Sequence, residues 1–209
     1  MASEAPAPPP DDDATLMLAA QRGDEAAFAT LVRRWQGRVV SLAYRYLGSA
    51  ADAEDLAQDV FLRVHRARGT YEPSARFSTW IYRITVNTSL NFIRGRKARK
   101  PVSGEMPFTA GEDSPVEPAD ESAEDPSQAP EKVERVKVLR KIGDDLPERQ
   151  RLAILLNKYE ARSYEEVAAS MDLTVMAVKS LLTRARVTIR EKLEPYLESG
   201  ALPPEEDEA

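Results

Sequence analysis

A chain of 209 residues has room for one medium domain or two small ones, and its lack of cysteine excludes a disulfide framework and a thiolate zinc site and suits a reducing, cytoplasmic compartment. The formal charge of −6, from 29 Lys/Arg and 35 Asp/Glu, speaks at face value against a nucleic-acid partner. The acids are segregated, however: residues 1–13, 101–131 and 201–209 hold four, nine and four acids and no base, whereas 14–100 balance at +8 and 132–200 at +3.

The first 13 residues, MASEAPAPPPDDD, lack the basic start and apolar run of a secretory signal and read as a disordered acidic tail. No apolar stretch approaches the roughly 20 residues that cross a bilayer, so no membrane insertion is expected. Ala27, Phe28, Leu31, Val32 and Trp35, continued by Val39, Leu42, Ala43 and Tyr46, predict a helix that ends at Gly48 and is either continuous or broken near Gly37. Ala53, Leu56, Ala57, Val60, Phe61 and Val64 predict a second, with Asp52, Glu54 and Asp55 in its first turn. After a break at 69–73, Ser78 or Thr79 can cap a third, in which Trp80, Ile81, Ile84 and Thr88 share a face and which ends in RGRKARK, residues 94–100.

Residues 101–131 lose all apolar periodicity and fill with Pro, Gly, Ser, Glu and Asp, the composition of a flexible acidic linker. Beyond it, Val133, Val136, Leu139 and Ile142 mark a short helix, and Pro147 suits the first turn of the next, through LAILLNKY. Ser163 and Glu166 form a capping-box pattern ahead of Val167, Ala168 and Met171. A tight break at 172–174 follows, and Thr174 can cap a last helix lined by Val178, Leu181, Leu182, Ala185, Ile189 and Leu193 until Pro195. The expected fold is all-α: small helical domains at 14–100 and 132–198, with an acidic tail from 199 to 209.

A short helix, a tight turn and a longer helix bearing Lys179, Arg184, Arg186 and Arg190 is the arrangement that sets a second helix in the major groove of DNA. Lys179, Ser180 and Thr183 point away from the apolar stripe toward base edges, and Arg184 and Arg186 toward bases or phosphates. The blander alternative is a helical hairpin with a solvated basic face. Residues 76–100 combine Phe77, Trp80 and Tyr82 with Arg76, Arg83, Arg94, Arg96 and Lys97, so that rings can stack on unpaired bases while cations track the backbone. Equally, Phe77 and Trp80 can be core residues. His65, the one histidine, has no partner at metal-binding spacing and reads as a surface residue; no metal, cofactor or catalytic group is expected.

DAEDLAQDVFLRV (52–64) followed by FSTWIYRITVNTSLNFIR (77–94) resembles conserved regions 2.1 to 2.4 of bacterial sigma factors, and LPERQR (146–151), SYEEVA (163–168) and AVKSLLTRAR (177–186) resemble region 4. With no region 3 domain between them, the chain resembles an extracytoplasmic-function (ECF, group IV) sigma factor of the sigma-70 family. The resemblance implies that Asp55, Gln58, Asp59 and Arg63 dock on the clamp helices of the largest core RNA polymerase subunit, with the beta flap as a further contact. It implies that the loop before Trp80 captures a flipped base of the minus-ten element, with Arg76, Phe77, Ser78, Thr79, Tyr82, Arg83, Asn87, Asn91, Arg94, Arg96 and Lys97 along the DNA. Lys179, Ser180, Thr183, Arg184 and Arg186 would read the minus-thirty-five element, helped by Arg149, Tyr164 and Glu165 against the backbone. An anti-sigma factor would hold the protein inactive, and the acidic linker would either mimic RNA near the polymerase active site or simply solvate.

Two positions depart from the family pattern, Leu181 where arginine is frequent and Asn91 where aspartate is frequent, which leaves promoter choice open. A sigma-like decoy that sequesters an anti-sigma factor is the competing reading. A stand-alone repressor leaves the N-terminal half unexplained.

Overall fold

The computed structural model describes residues 11–73, 76–99 and 140–199, and among them the regular structure is entirely helical. The linker 101–131, the tail from residue 200 on and the helix expected over 133–139 lie outside the described residues. Helix α1 (Asp12–Gln21) is capped by Asp11, whose carboxylate accepts the Asp13 N–H at 3.1 Å. The expected tail therefore ends earlier, because its last two aspartates open a helix where the macrodipole favours them.

Helix α2 (Glu25–Leu47) is capped by Asp24 and closed by Gly48, whose φ of 79° a side chain would strain. It runs unbroken through Gly37. A mid-helix glycine costs only about 1 kcal/mol, and Leu31, Trp35, Val39 and Leu42, all buried, hold the helix on either side of it. Helix α3 (Ala50–Ala67) is capped by Ser49 and buries Ala53, Leu56, Ala57, Val60 and Val64. A 3-10 turn (Arg68–Thr70) leads to helix α4 (Phe77–Arg99).

Neither Ser78 nor Thr79 caps α4, which already begins at Phe77. The carboxylate of Asp11, 66 residues away, accepts the Phe77 N–H at 2.6 Å and so serves the starts of α1 and α4 together.

In the C-terminal half, residues 140–144 are helical and Pro147 precedes α5 (Glu148–Ile154), which continues into a π turn (Leu155–Tyr159). Ala161 follows with φ of 49°, a strained value for a residue with a Cβ. The Ser163–Glu166 capping box is present, opening α6 (Tyr164–Met171). Asp172 ends α6 in the left-handed region, and Thr174 accepts the Ala177 N–H at 3.2 Å as α7 (Val175–Ser199) begins. Helix α7 does not stop at Pro195. Pro195 and its neighbours Glu191 and Glu194 are exposed, so the ladder bond that proline cannot make is lost outside the core.

The two halves share one apolar core that runs from Met17, Leu31 and Trp35 through Ile81 and Val86 to Leu152, Val167 and Leu182. Helix α4 lies at its centre, packed against α3 on one side and α6 on another. Cations fasten the edges: Arg151 donates to the Arg45 carbonyl at 3.1 Å, Arg45 stacks 4.3 Å from the Tyr159 ring centre, and Arg140 bonds the Gly48 carbonyl.

Candidate nucleic-acid and polymerase interfaces

Helix α4 presents Arg76 just ahead of it and Arg83, Asn87, Asn91 and Arg94 along it, all exposed and recurring at helical intervals as a polar stripe. Arg96, also exposed, is paired with Asp52 at 2.8 Å; the side chain of Lys97 lies outside the described residues. The other expected DNA residues of this segment sit elsewhere. Phe77 is buried, with its ring 5.6 Å from Trp35, 6.0 Å from Tyr71 and 5.9 Å from Trp80. Tyr82 is wholly buried against Trp35 and donates its hydroxyl to Glu160 of the C-terminal half, and Thr79 is buried.

Ser78 accepts from Arg162 at 3.3 Å, and the Thr79 carbonyl accepts from Ser170 at 3.5 Å. In this closed arrangement Phe77, Thr79 and Tyr82 are core, because α4 is covered from two directions and its inner faces leave no room for a ligand. Trp80 is half-buried, edge-on to Tyr71 at 5.1 Å.

The clasp over α4 is built by the π turn and the strained Ala161, which together carry Glu160 and Arg162. The Arg162 guanidinium lies 5.6 Å from the Tyr82 ring centre and 3.4 Å from Glu166. Burial, and then the Glu160 carboxylate, push the Tyr82 phenol far above its ordinary range. A polar cavity of about 330 Å³ opens beside the clasp, between Trp35, Arg38, Arg76, Ser78 and Arg162, with Asp11, Asp12 and Asp13 on one wall.

On α3, Asp55, Gln58 and Arg63 are exposed and Asp59 half-buried, with Arg63 donating to Asp59 at 3.0 Å. Leu62, 48% exposed, stands among them. Sequence reasoning passed over it, although its place off the apolar stripe marked it as outward. His65 packs edge-on to Phe28 at 5.0 Å and lies 3.7 Å from Glu25. Among the described residues no cluster of His, Asp and Glu could hold a metal ion, and no helix is long and apolar enough to cross a membrane.

On α7, Lys179, Thr183, Arg184 and Arg186 are exposed and Ser180 half-buried, and Arg184 donates to Ser180 at 2.7 Å. Arg186 donates to the Tyr164 hydroxyl at 3.2 Å, and this bond and its charge lower the Tyr164 phenol below the usual value. Arg149 and Glu165 are exposed on α5 and α6; the carboxyl of Glu165 is lowered by hydrogen bonds from its own N–H and from Ser163. Leu181 is half-buried against the core and so lies off the exposed stripe of Lys179, Thr183, Arg184 and Arg186.

The chain matches Sigma-70 region 2 over residues 31–99 and Sigma-70, region 4 over residues 139–189. It is 34% identical over 190 residues to the RNA polymerase sigma-H factor of Pseudomonas aeruginosa, covering 90% of this chain and 96% of that one. It is 35% identical over 185 residues to the ECF RNA polymerase sigma-E factor of Escherichia coli strain K12, covering 88% and 96%. Among solved structures it is similar to CnrH in complex with the cytosolic domain of CnrY, at a TM-score of 0.63 and 26% identity over 88% of this chain and 99% of that one. It shares its fold with RpoE of Bartonella quintana, solved with the anti-sigma factor NepR, at a TM-score of 0.60 and 22% identity over 80% and 96%.

Proposed function

The chain belongs to the extracytoplasmic-function sigma factors of the sigma-70 family, and from that premise we propose how this RNA polymerase sigma factor divides its work among its faces. Helix α4 takes the minus-ten element through Arg76, Arg83, Asn87, Asn91 and Arg94, and α7 takes the minus-thirty-five element through Lys179, Ser180, Thr183, Arg184 and Arg186. Arg149, Tyr164 and Glu165 flank the second site. Asp55, Gln58, Asp59 and Arg63, with Leu62 between them, meet the core polymerase clamp helices, and the C-terminal half meets the beta flap. The observation that carries this reading is the pair of exposed polar stripes on α4 and α7, each backed by buried apolar residues of its own helix.

Strand opening needs no reacting group on this chain. Extruding a base from the stack costs a few kcal/mol, and the polar hollow at the head of α4, where Trp35, Arg38 and Arg76 remain opposite Asp11–Asp13 once Arg162 has left, offers the base a place once drawn out. Cations along α4 hold the separated strand, releasing counterions as they meet phosphates. Phe77, Thr79 and Tyr82 join this surface only after the C-terminal half lifts from α4. The closed form is the resting state, and engagement of polymerase and promoter draws the halves apart. A protein partner of the anti-sigma kind belongs to this proposal, as does action in the cytoplasm, where the polymerase works.

Run-off transcription with core polymerase on candidate promoters tests the whole. Arg184→Ala should weaken upstream recognition by about tenfold, within the 1–3 kcal/mol of a base contact, and Arg83→Ala with Asn87→Ala should slow opening while leaving closed-complex binding. No promoter-specific transcript from the wild-type chain, together with tight binding of an anti-sigma protein, would support the decoy instead.

A further inference from the structure

The most exposed large apolar side chain among the described residues is Met176, at 81%. It is the second residue of α7, three ahead of Lys179, four ahead of Ser180 and seven ahead of Thr183, which puts all four on one helix face. The opposite face is occupied by Val178, Leu182 and Ala185, all buried, so Met176 has no share in the core. In a helix-turn-helix the residues at the N-terminal end of the second helix are the ones that reach base edges. A helical side chain also leans toward the helix N-terminus, which carries Met176 still further out.

The polar members of this face can hydrogen-bond to bases, but a thioether chain cannot. The apolar group offered in the major groove is the 5-methyl of thymine, which distinguishes T from C where other contacts do not. Methionine, unbranched and polarisable, adapts to such a small apolar target. We propose that Met176 is a specificity-determining residue of the upstream DNA interface, packing its side chain on a thymine methyl in the major groove. The proposal rests on the assignment of α7 to the minus-thirty-five element.

The experiment uses the full chain assembled with core polymerase. Duplex sites are selected from a randomised library, and each thymine of the selected upstream element is replaced singly by deoxyuridine, which deletes only the methyl. The expected result is one position at which deoxyuridine weakens wild-type binding about fourfold, as for one buried methyl-sized group at about 0.8 kcal/mol. At that position Met176→Ala should bind thymine and deoxyuridine alike, and Met176→Leu should keep most of the discrimination.

Because Met176 is exposed, these variants should melt with the wild type, and a thermal scan checks that they do. Selected sites without a thymine, or a methyl effect that survives Met176→Ala unchanged, overturn the proposal. Lys179→Ala and Arg184→Ala separate the two levels. If neither weakens upstream binding, the DNA assignment of α7 falls and takes Met176 with it; if they do and no methyl effect is found, Met176 alone is wrong.

Discussion

The closed resting form can be tested by removing the clasp with Glu160→Ala and Arg162→Ala together. The Tyr82 hydroxyl then loses its carboxylate acceptor, its ring loses the guanidinium at 5.6 Å, and Ser78 loses a donor at 3.3 Å. A hydrogen bond to a charged group is worth about 1.5–3 kcal/mol and the cation–π contact about 0.5–1 kcal/mol. Glu160 and Arg162 are each partly exposed, so part of this returns as hydration, leaving about 2 kcal/mol. That corresponds to a roughly 30-fold rise in the ratio of open to closed molecules. The chain has no cysteine, so single cysteines at the exposed positions Gln36 and Arg190 accept a dye pair without background. Single-molecule energy transfer then counts the two populations in the free protein. An open-to-closed ratio that moves less than twofold, or a wild-type chain already mostly open, would refute the argument.

Asp11→Ala removes a carboxylate that serves the first turns of α1 and α4 at once, so it should cost about 1–2 kcal/mol and lower the thermal midpoint by several degrees, whereas the exposed Asp12→Ala should leave it within about one degree. Leu62→Asp should weaken binding to core polymerase about tenfold, from the lost burial of a leucine that is half-exposed in the free chain, without changing the midpoint. Urea titrations should show constant tyrosine-linked stability up to about pH 10 and a decline above it. Burial pushes the Tyr71 phenol up to about 12, and Tyr46 and Tyr82 also upward, so the unfolded chain ionises first and stability is lost as pH rises through the folded values. Tyr71→Phe should flatten part of that decline; an unchanged slope would remove Tyr71 from the account.

What the sequence made legible was local. The apolar stripes of α2 and α3, the Gly48 stop, the Ser163–Glu166 box and the break at Asp172 each depend on residues within about one helical turn of each other, and each is where it was expected. What escaped depends on distant partners. The start of α4 is fixed by Asp11, and α1 itself was overlooked because its buried residues Ala14, Met17 and Ala20 include two alanines and make no strong apolar stripe. The Arg and Asn positions of the expected DNA faces are exposed because hydration keeps them there. The aromatic ones divide according to packing: Trp80 is half-buried, while Phe77 and Tyr82 vanish into contacts with α2 and, for Tyr82, with the π-turn clasp.

That division has a functional consequence. In the closed chain Lys179, Thr183, Arg184 and Met176 on α7 already face solvent, whereas on α4 only the outer stripe does. A ligand shifts a conformational equilibrium only through its preference for one state. On the proposed assignment, duplex DNA at the minus-thirty-five element meets side chains of α7 that are already exposed in this arrangement, so it would exert little pull on the clasp. Tyr82, by contrast, is covered by Glu160 and Arg162, so a minus-ten strand that contacts it as proposed would bind the separated form alone and favour separation. On that proposal upstream recognition is therefore available to the closed molecule, and strand capture is the step that the clasp restrains.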